Sequence, residues 1–207
     1  MIYDCDGVLF DSFEANTRLY NDLCVWVGRG PLSKEEMQYV HIHTVFEAIR
    51  LIFGKESDLE KKALEILKEK QVDLRNYVEY LKIEPHLFQT LEKLKEKGIL
   101  RAINTNRTTS MEYVMERFDL DPYFEMVVTA LDVNNPKPHP ESIEKIVAAF
   151  KLKKEEAVFI GDSEVDRQTA ESSGVRFIAY KNREIANDLF IEDHLDLLDL
   201  ILNHKAS

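Results

Sequence analysis

The chain has 207 residues, 44% hydrophobic and 10% aromatic, which is enough apolar material for a folded core with a modest insert and excludes a disordered chain. Its formal net charge of -11 makes nucleic acid and anionic membranes poor partners, but nearby cations can still hold a small anionic ligand. Two cysteines without metal-type spacing, no apolar run near the ~18 residues that span a bilayer and no signal-peptide pattern favour a cytoplasmic protein.

The first part of the chain changes from a short strand to a long helical segment. Residues 1–4 are an apolar strand that runs directly into acidic residues. Residues 13–81 then follow a helical pattern throughout, with breaks at residues 28–31 and 54–57. Apolar residues recur there at helical spacing: Tyr20, Leu23, Cys24, Val27, Val45, Ala48, Ile49, Ile52, Phe53, Ala63, Leu64 and Leu67.

Beyond residue 85 strands alternate with helices. The predicted helices are residues 86–97, 110–118, 140–150 and 165–173. The predicted strands are residues 99–104, 126–130, 157–160 and 175–180. This alternation predicts an α/β fold, a parallel sheet with helices on both faces, in which an active site lies at the carboxyl ends of the strands.

Two aspartates follow the first strand. Asp4 ends it and Asp6 lies two residues on, so both can face one crevice at a turn that Gly7 allows to be tight. Carboxylates placed in this way can attack phosphorus, bind a metal and exchange a proton with reacting oxygens. Asp-x-Asp-Gly alone is explained at least equally well by a solvated turn or a calcium-type loop.

A third carboxylate follows the apolar strand 157–160. Asp162 is expected to point into the same crevice as Asp4, and carboxylate oxygens with water suit octahedral Mg²⁺. Asp166 lies one helical turn further on, where it either approaches the metal or is simply an acid at a helix N-terminus. Ser163 is interpreted as a helix cap, as a donor behind the metal ligands, or as both.

Polar residues also follow the other predicted strands. Thr105 and Asn106 end one strand, and a hydroxyl with a neighbouring backbone N–H can bind a phosphate oxygen there. Lys137 lies between prolines that stiffen its loop, so its ammonium can be held against a nucleophile and a phosphoryl group. Taken singly, the first segment is also a helix-capping turn and the lysine an exposed loop residue.

Together and in this order, four segments resemble the haloacid dehalogenase superfamily of hydrolases, in its phosphoglycolate phosphatase-like and β-phosphoglucomutase-like branch. The segments are YDCDGVLFDS, INTN, NPKPHPE and FIGDSEVD. The resemblance covers the whole chain, because the helical segment stands where this family inserts a helical cap. It implies a Rossmann-like catalytic core of residues 1–12 and 86–207, and an all-helical cap of residues 13–85.

The resemblance also implies a role for each matched residue. Asp4 becomes the nucleophile and a metal ligand, while Asp6 becomes the general acid and base and offers its backbone carbonyl to the metal. Thr105, Asn106 and Lys137 become the residues that bind and neutralise the phosphate. Asp162 becomes a Mg²⁺ ligand, with Ser163 and Asp166 at or near the metal.

The implied activity is Mg²⁺-dependent hydrolysis of a small phosphorylated metabolite through an aspartyl-phosphate, by a monomer or small homo-oligomer. Asp6 favours phosphoryl transfer over carbon–halogen cleavage, because the dehalogenases of this family lack that aspartate. A sugar phosphomutase and a non-catalytic binding protein remain alternatives. His41, His43 and Arg50 are tentative substrate contacts from the cap, although each is also explained as a surface or cap-core residue.

Overall fold

The computed structural model describes residues 1–42, 45–68 and 73–203, and divides into two compact units. The sheet unit consists of Met1–Asp11 and Ile83–Ser207, and the helical unit is Ser12–Lys82. No helix among the described residues has both the length and the apolar character needed to cross a membrane.

The elements of both units are short. The strands are β1 (Ile2–Tyr3), β2 (Phe10–Asp11), β3 (Lys82–Ile83), β4 (Ala102–Asn104), β5 (Met126–Val128), β6 (Val158–Gly161), β7 (Arg176–Tyr180) and β8 (Phe190–Ile191). The helices are α1 (Phe13–Val27), α2 (Lys34–Ile42), α3 (Val45–Phe53), α4 (Asp58–Lys68), α5 (Arg75–Val78), α6 (Leu87–Glu96), α7 (Ser110–Arg117), α8 (Glu141–Ala149), α9 (Glu164–Ser173) and α10 (Asp196–Asn203). Two 3-10 turns cover Lys154–Glu156 and Arg183–Ile185.

The sheet unit is built on a six-stranded sheet in the order β5-β4-β1-β6-β7-β8, in which neighbouring strands are parallel. The predicted α/β class is therefore confirmed. Although β1 has only two residues, it occupies a central position, with Ile2 opposite both Ala102 and Phe159. A short strand is stable there because partners on both sides satisfy its backbone hydrogen bonds. The carboxyl end of β1 thereby lies between those of β4 and β6.

Buried helix residues pack against this sheet. On one face, α8 and α9 contribute Ile143, Ile146, Val147 and Ala170 to a cluster with buried strand residues such as Phe159. The buried residues of α6, which include Leu87, Leu91 and Leu94, lie outside that cluster. The alternation of side chains along parallel strands, buried on both sides, accounts for the near-continuous apolar character of β6 and β7.

The helical unit has a core of its own. The predicted helical pattern is confirmed there, since α1 to α4, with Leu32 from the loop between α1 and α2, supply the members of one buried cluster. That cluster contains Tyr20, Leu23, Cys24, Val27, Leu32, Val40, Ala48, Ile49, Ile52, Phe53, Ala63 and Ile66. Helix α1 is capped by Gly28, whose φ of 85° lies in the left-handed region. The backbone N–H of Gly28 donates to the carbonyls of Cys24 and Val25.

The sequence pattern predicts no element beyond residue 180, whereas the structure contains β8 and α10 there. Strand β8 has only two residues at the sheet edge, too few for an alternating pattern to be recognised. Strand β4 is also shorter than predicted and begins at Ala102, because the backbone N–H of Arg101 donates to the carboxylate of Glu125 at 2.6 Å rather than to a strand partner.

Leu91→Ala is expected to lower the free energy of unfolding by about 2–5 kcal/mol, because Leu91 is fully buried in α6 and its truncation leaves a cavity. Leu100→Ala is the matched control, since Leu100 is 39% exposed and should cost less than about 1 kcal/mol. Urea unfolding followed by circular dichroism measures both values. Equal losses in the two variants would contradict this account of the core.

Candidate active site

Asp4 lies directly after β1, at the carboxyl edge of the sheet. Its backbone N–H donates to the carbonyl of Ile160 in β6, at 2.9 Å, which continues the pairing of the two strands by one residue. Its carboxylate Oδ1 accepts from the backbone N–H of Cys5 at 2.7 Å and is 2.8 Å from Nζ of Lys137. Asp4 is therefore buried and held at the centre of the sheet edge.

Lys137 joins two carboxylates. Its ammonium lies 2.8 Å from Oδ1 of Asp4 and 2.7 Å from Oδ1 of Asp166, and only 6% of the lysine is exposed. The loop that carries it is fixed from a neighbouring strand end, because Nδ2 of Asn106 donates to the carbonyl of Lys137 at 3.1 Å. Lys137 is thus a buried cation within the site.

The carboxylate of Asp162 lies against the backbone of Gly7 and close to the carboxylate of Asp4. Gly7 has a φ of 73°, and a Cβ atom added to it would lie 1.9 Å from Oδ2 of Asp162. The backbone carbonyl of Asp162 accepts from Nδ2 of Asn182 at 2.9 Å, which orders the turn after β6. Position 7 must lack a side chain both for its conformation and for the close approach of this carboxylate.

Asp166 caps its own helix and pairs with the lysine at the same time. Ser163 accepts from the backbone N–H of Asp166, while Oδ2 of Asp166 accepts from the backbone N–H and the hydroxyl of Ser163. This is a capping box at the start of α9. The other oxygen of Asp166 contacts Lys137. Asp166 can therefore be both an acid at a helix N-terminus and a member of the carboxylate group near the predicted metal.

The three carboxylates form a group that can hold a divalent metal. One oxygen each of Asp4, Asp162 and Asp166 lie within 4.8 Å of one another. When ionised, three carboxylates beside one ammonium leave two negative charges, which a divalent cation balances. An all-oxygen donor set fits Mg²⁺ better than a soft metal.

Burial and neighbouring charges shift the pKa values of Asp4, Asp162 and Lys137. Burial, reinforced by Asp166 and opposed by Lys137, raises the pKa of Asp4 to about 7. Burial, followed by the charges of Asp166 and Asp4, also raises the pKa of Asp162 well above its ordinary value. Burial alone would lower the pKa of Lys137, but Asp166 and Asp4 outweigh it and raise that pKa. Lys137 therefore stays charged, whereas the carboxyl groups of Asp4 and Asp162 lose their protons only at a higher pH than usual.

Thr105 and Asn106 lie beside this group at the end of β4. The backbone N–H of Thr105 donates to Val128 of β5, and its hydroxyl accepts from the backbone N–H of Arg107 at 3.0 Å. Oδ1 of Asn106 is buried and has no hydrogen-bond partner among the described residues. The segment is thus a structured turn that offers polar groups at the sheet edge.

Arg107 was assigned no role from the sequence, yet it contacts a predicted catalytic residue. Its Nε and Nη2 donate to Oδ2 and Oδ1 of Asp6 at 2.7 and 2.6 Å. Burial alone would lower the pKa of Arg107, but the charge of Asp6, with that of Asp4, raises it instead. The place of Arg107 directly after a strand, in the same segment as Thr105, could have suggested a position at the site, but not its partner.

The three tentative substrate contacts belong to the helical unit. His43 and the side chain of His41 lie outside the described residues. Arg50 is exposed, and its Nε lies 3.5 Å from Oε1 of Glu60 within the same unit. Their contact with a substrate stays a prediction.

A model of the haloacid dehalogenase-like hydrolase family matches residues 1–180. The chain belongs to this family. A solved haloacid dehalogenase-superfamily hydrolase of subfamily IA, variant 1, from Geobacter sulfurreducens is 39% identical to this hydrolase, with a TM-score of 0.79. That match covers 97% of this chain and 94% of the other.

Two relatives with named activities share a lower sequence identity with this hydrolase. The phosphoglycolate phosphatase of Rhodobacter capsulatus is 26% identical over 187 residues, which are 87% of this chain and 83% of that protein. The pyrophosphatase PpaX of Halalkalibacterium halodurans is 33% identical over 131 residues, or 58% of this chain. The match spans 60% of the length of that pyrophosphatase.

Without divalent cations, Asp162→Asn is expected to raise the melting temperature of this hydrolase at about pH 8, by about 2–4 °C for each kcal/mol of repulsion relieved. The carboxyl pKa values of Asp4 and Asp162 are raised on folding. Their contribution to stability is therefore present below the unfolded pKa of 3.8. For Asp4 it is lost as pH rises through about 7, and for Asp162 it is lost as pH rises through its raised pKa. The gain should shrink at about pH 5, where the protonated carboxyl already carries no charge.

Thermal unfolding in a chelator at both pH values measures this effect. Asp121→Asn, at an exposed aspartate of the same unit, is the matched control and should change little at either pH. A lower melting temperature for Asp162→Asn at the higher pH would show that these charges do not repel as described.

Gly7→Ala is expected to weaken binding of a divalent cation about 10- to 100-fold, because the new methyl group displaces the Asp162 carboxylate from its neighbours. Calorimetric titration of the folded protein with Mg²⁺ measures the affinity. Gly30→Ala is the control, because a Cβ at Gly30 would meet nothing within 4 Å. Unchanged affinity in Gly7→Ala would remove Asp162 from the metal site.

Proposed function

We propose that this hydrolase is a Mg²⁺-dependent phosphatase that cleaves a small phosphate ester or anhydride through an aspartyl-phosphate on Asp4. The observation that carries the proposal is the position of the Asp4 carboxylate. It lies at the centre of the sheet edge, 2.8 Å from the Lys137 ammonium and within 4.8 Å of Asp162 and Asp166 oxygens. A nucleophile, a buried cation and a metal-type carboxylate group thereby meet at one place.

In the first step, an oxygen of Asp4 attacks phosphorus, and the bond from phosphorus to the leaving oxygen breaks. The leaving oxygen takes a proton from the Asp6 carboxyl. Lys137 stays charged beside Asp4 and offsets negative charge on the phosphoryl oxygens, while the turn at Thr105 and Asn106 binds one of these oxygens. The product of this step is an aspartyl-phosphate and the free leaving group.

In the second step, Asp6 takes a proton from a water molecule whose oxygen attacks the same phosphorus. The bond between phosphorus and the Asp4 oxygen breaks, so Asp4 returns to a carboxylate and inorganic phosphate leaves. Asp6 ends the cycle protonated, ready for the next substrate. Asp4 and Asp162, with Asp166 close by, would hold Mg²⁺, which when bound would supply positive charge to stabilise the transferring phosphoryl group.

The relatives support a choice of first substrates. Proteins that resemble this one are a phosphoglycolate phosphatase and a pyrophosphatase, so phosphoglycolate and pyrophosphate are the first compounds to test. Both are small anions, in keeping with a small phosphorylated metabolite as the substrate class. A phosphate-release screen should therefore contain these two compounds, p-nitrophenyl phosphate and a sugar phosphate.

Asp4→Asn is expected to reduce kcat for phosphate release by a factor on the order of 10⁴ or more, because the nucleophile is lost. Phosphate release is measured over the substrate panel with Mg²⁺ and again with chelator, which should also abolish turnover. Asp121→Asn is the matched control, since this aspartate is exposed and should leave kcat unchanged.

Full activity in Asp4→Asn, or in the chelated enzyme, would overturn the proposal. Isomerisation of a sugar phosphate faster than phosphate release would instead identify a phosphomutase. These outcomes are separated by following phosphate and sugar phosphate in the same reaction.

A further inference from the structure

Arg107 grips the carboxylate of Asp6 through both of its oxygens. The two bonds, from Nε at 2.7 Å and from Nη2 at 2.6 Å, form the paired geometry in which a guanidinium matches a carboxylate. Such a fork fixes the plane of the carboxylate as well as its position, which an ammonium cannot do. The orientation of Asp6 is therefore set by a residue 101 positions away in the chain.

Arg107 is itself held in place. Its backbone N–H donates to Oγ1 of Thr105, and its carbonyl accepts from the backbone N–H of Ala130 at 3.1 Å. The side chain is only 13% exposed, and Nη1 lies 3.5 Å from the hydroxyl of Ser110. Most of the conformational entropy of this long side chain is thus lost on folding rather than when substrate binds.

Asp6 needs such support more than Asp4 does. The side chain of Asp6 is 33% exposed, against 10% for Asp4. The ammonium of Lys137 is already in contact with Asp4 and Asp166. An aspartate that must serve first the leaving oxygen and then a water molecule has to be placed within a fraction of an ångström.

We propose that Arg107 is the positioning residue of Asp6, holding its carboxylate in the orientation from which it exchanges protons with the leaving group and with water. This inference rests on the proposed function, because the proton transfers by Asp6 belong to that mechanism. Arg107 exchanges no proton itself, and its effect on the rate passes through Asp6.

A double-mutant cycle tests this inference with p-nitrophenyl phosphate and Mg²⁺. Arg107→Gln is expected to lower kcat by about 10- to 100-fold and to change KM by less than about twofold, because Asp6 is misplaced while substrate binding is kept. Arg107→Lys should stay low as well, since it keeps the charge and loses the fork. In an Asp6→Asn background, Arg107→Gln should reduce the rate of p-nitrophenolate release by less than about twofold.

The exposed Arg176 supplies the matched control, and Arg176→Gln should leave kcat unchanged. Melting temperatures of all variants separate loss of folding from loss of positioning, and Arg107→Lys provides a second, charge-preserving variant.

If Arg107→Gln caused the same loss in the Asp6→Asn background as in the otherwise unchanged enzyme, the inference would be overturned. A raised KM with unchanged kcat would also overturn it, because that result indicates direct substrate binding. So would a kcat unchanged in both Arg107 variants. Failure of the proposed function gives a different result, namely turnover that survives Asp4→Asn.

Discussion

Repulsion among buried and half-buried carboxylates is the constraint on which the carboxyl edge of the sheet depends. Asp4, Asp162 and Asp166 bring oxygens within 4.8 Å of one another, with the ammonium of Lys137 in contact with two of them. Like charges at this distance in a poorly solvated place oppose folding, and one lysine offsets only part of the repulsion. The site therefore gives up stability for a charge arrangement that a divalent cation completes.

The fold tolerates this crowding because the residues around it are small or rigidly placed. Gly7 and Gly161 leave room for the Asp162 and Asp166 side chains, which an added Cβ would meet at 1.9 and 2.3 Å. The central strands β1 and β6 are neighbours, so their carboxyl ends lie side by side. The distance between the carboxylates that follow them is therefore set by the spacing of strands in the sheet.

The parallel core and the residues of its carboxyl edge were predictable from the sequence because each depends on local patterns. An apolar strand followed by a polar residue marks a position at that edge, which is how Asp4, Thr105 and Asp162 were found. The bond between Arg107 and Asp6 had no such signal, because the two residues are 101 positions apart. An arginine after a strand is equally typical of a solvated turn, so only the three-dimensional structure reveals its partner.

Lys137 and Arg107 contact different carboxylates of the site, and the shape of each cation suits the contacts that it makes. Asp4 and Asp6 lie two residues apart, so a single cation between them would draw both carboxylates to one point. Lys137, a compact ammonium from the loop after β5, contacts two carboxylates from one position. Arg107, from the loop after β4, instead binds both oxygens of one carboxylate and so orients it. Because each cation comes from a separate strand end, the proposed nucleophile Asp4 and the proposed proton-transfer group Asp6 can be placed independently, although they are neighbours in the chain.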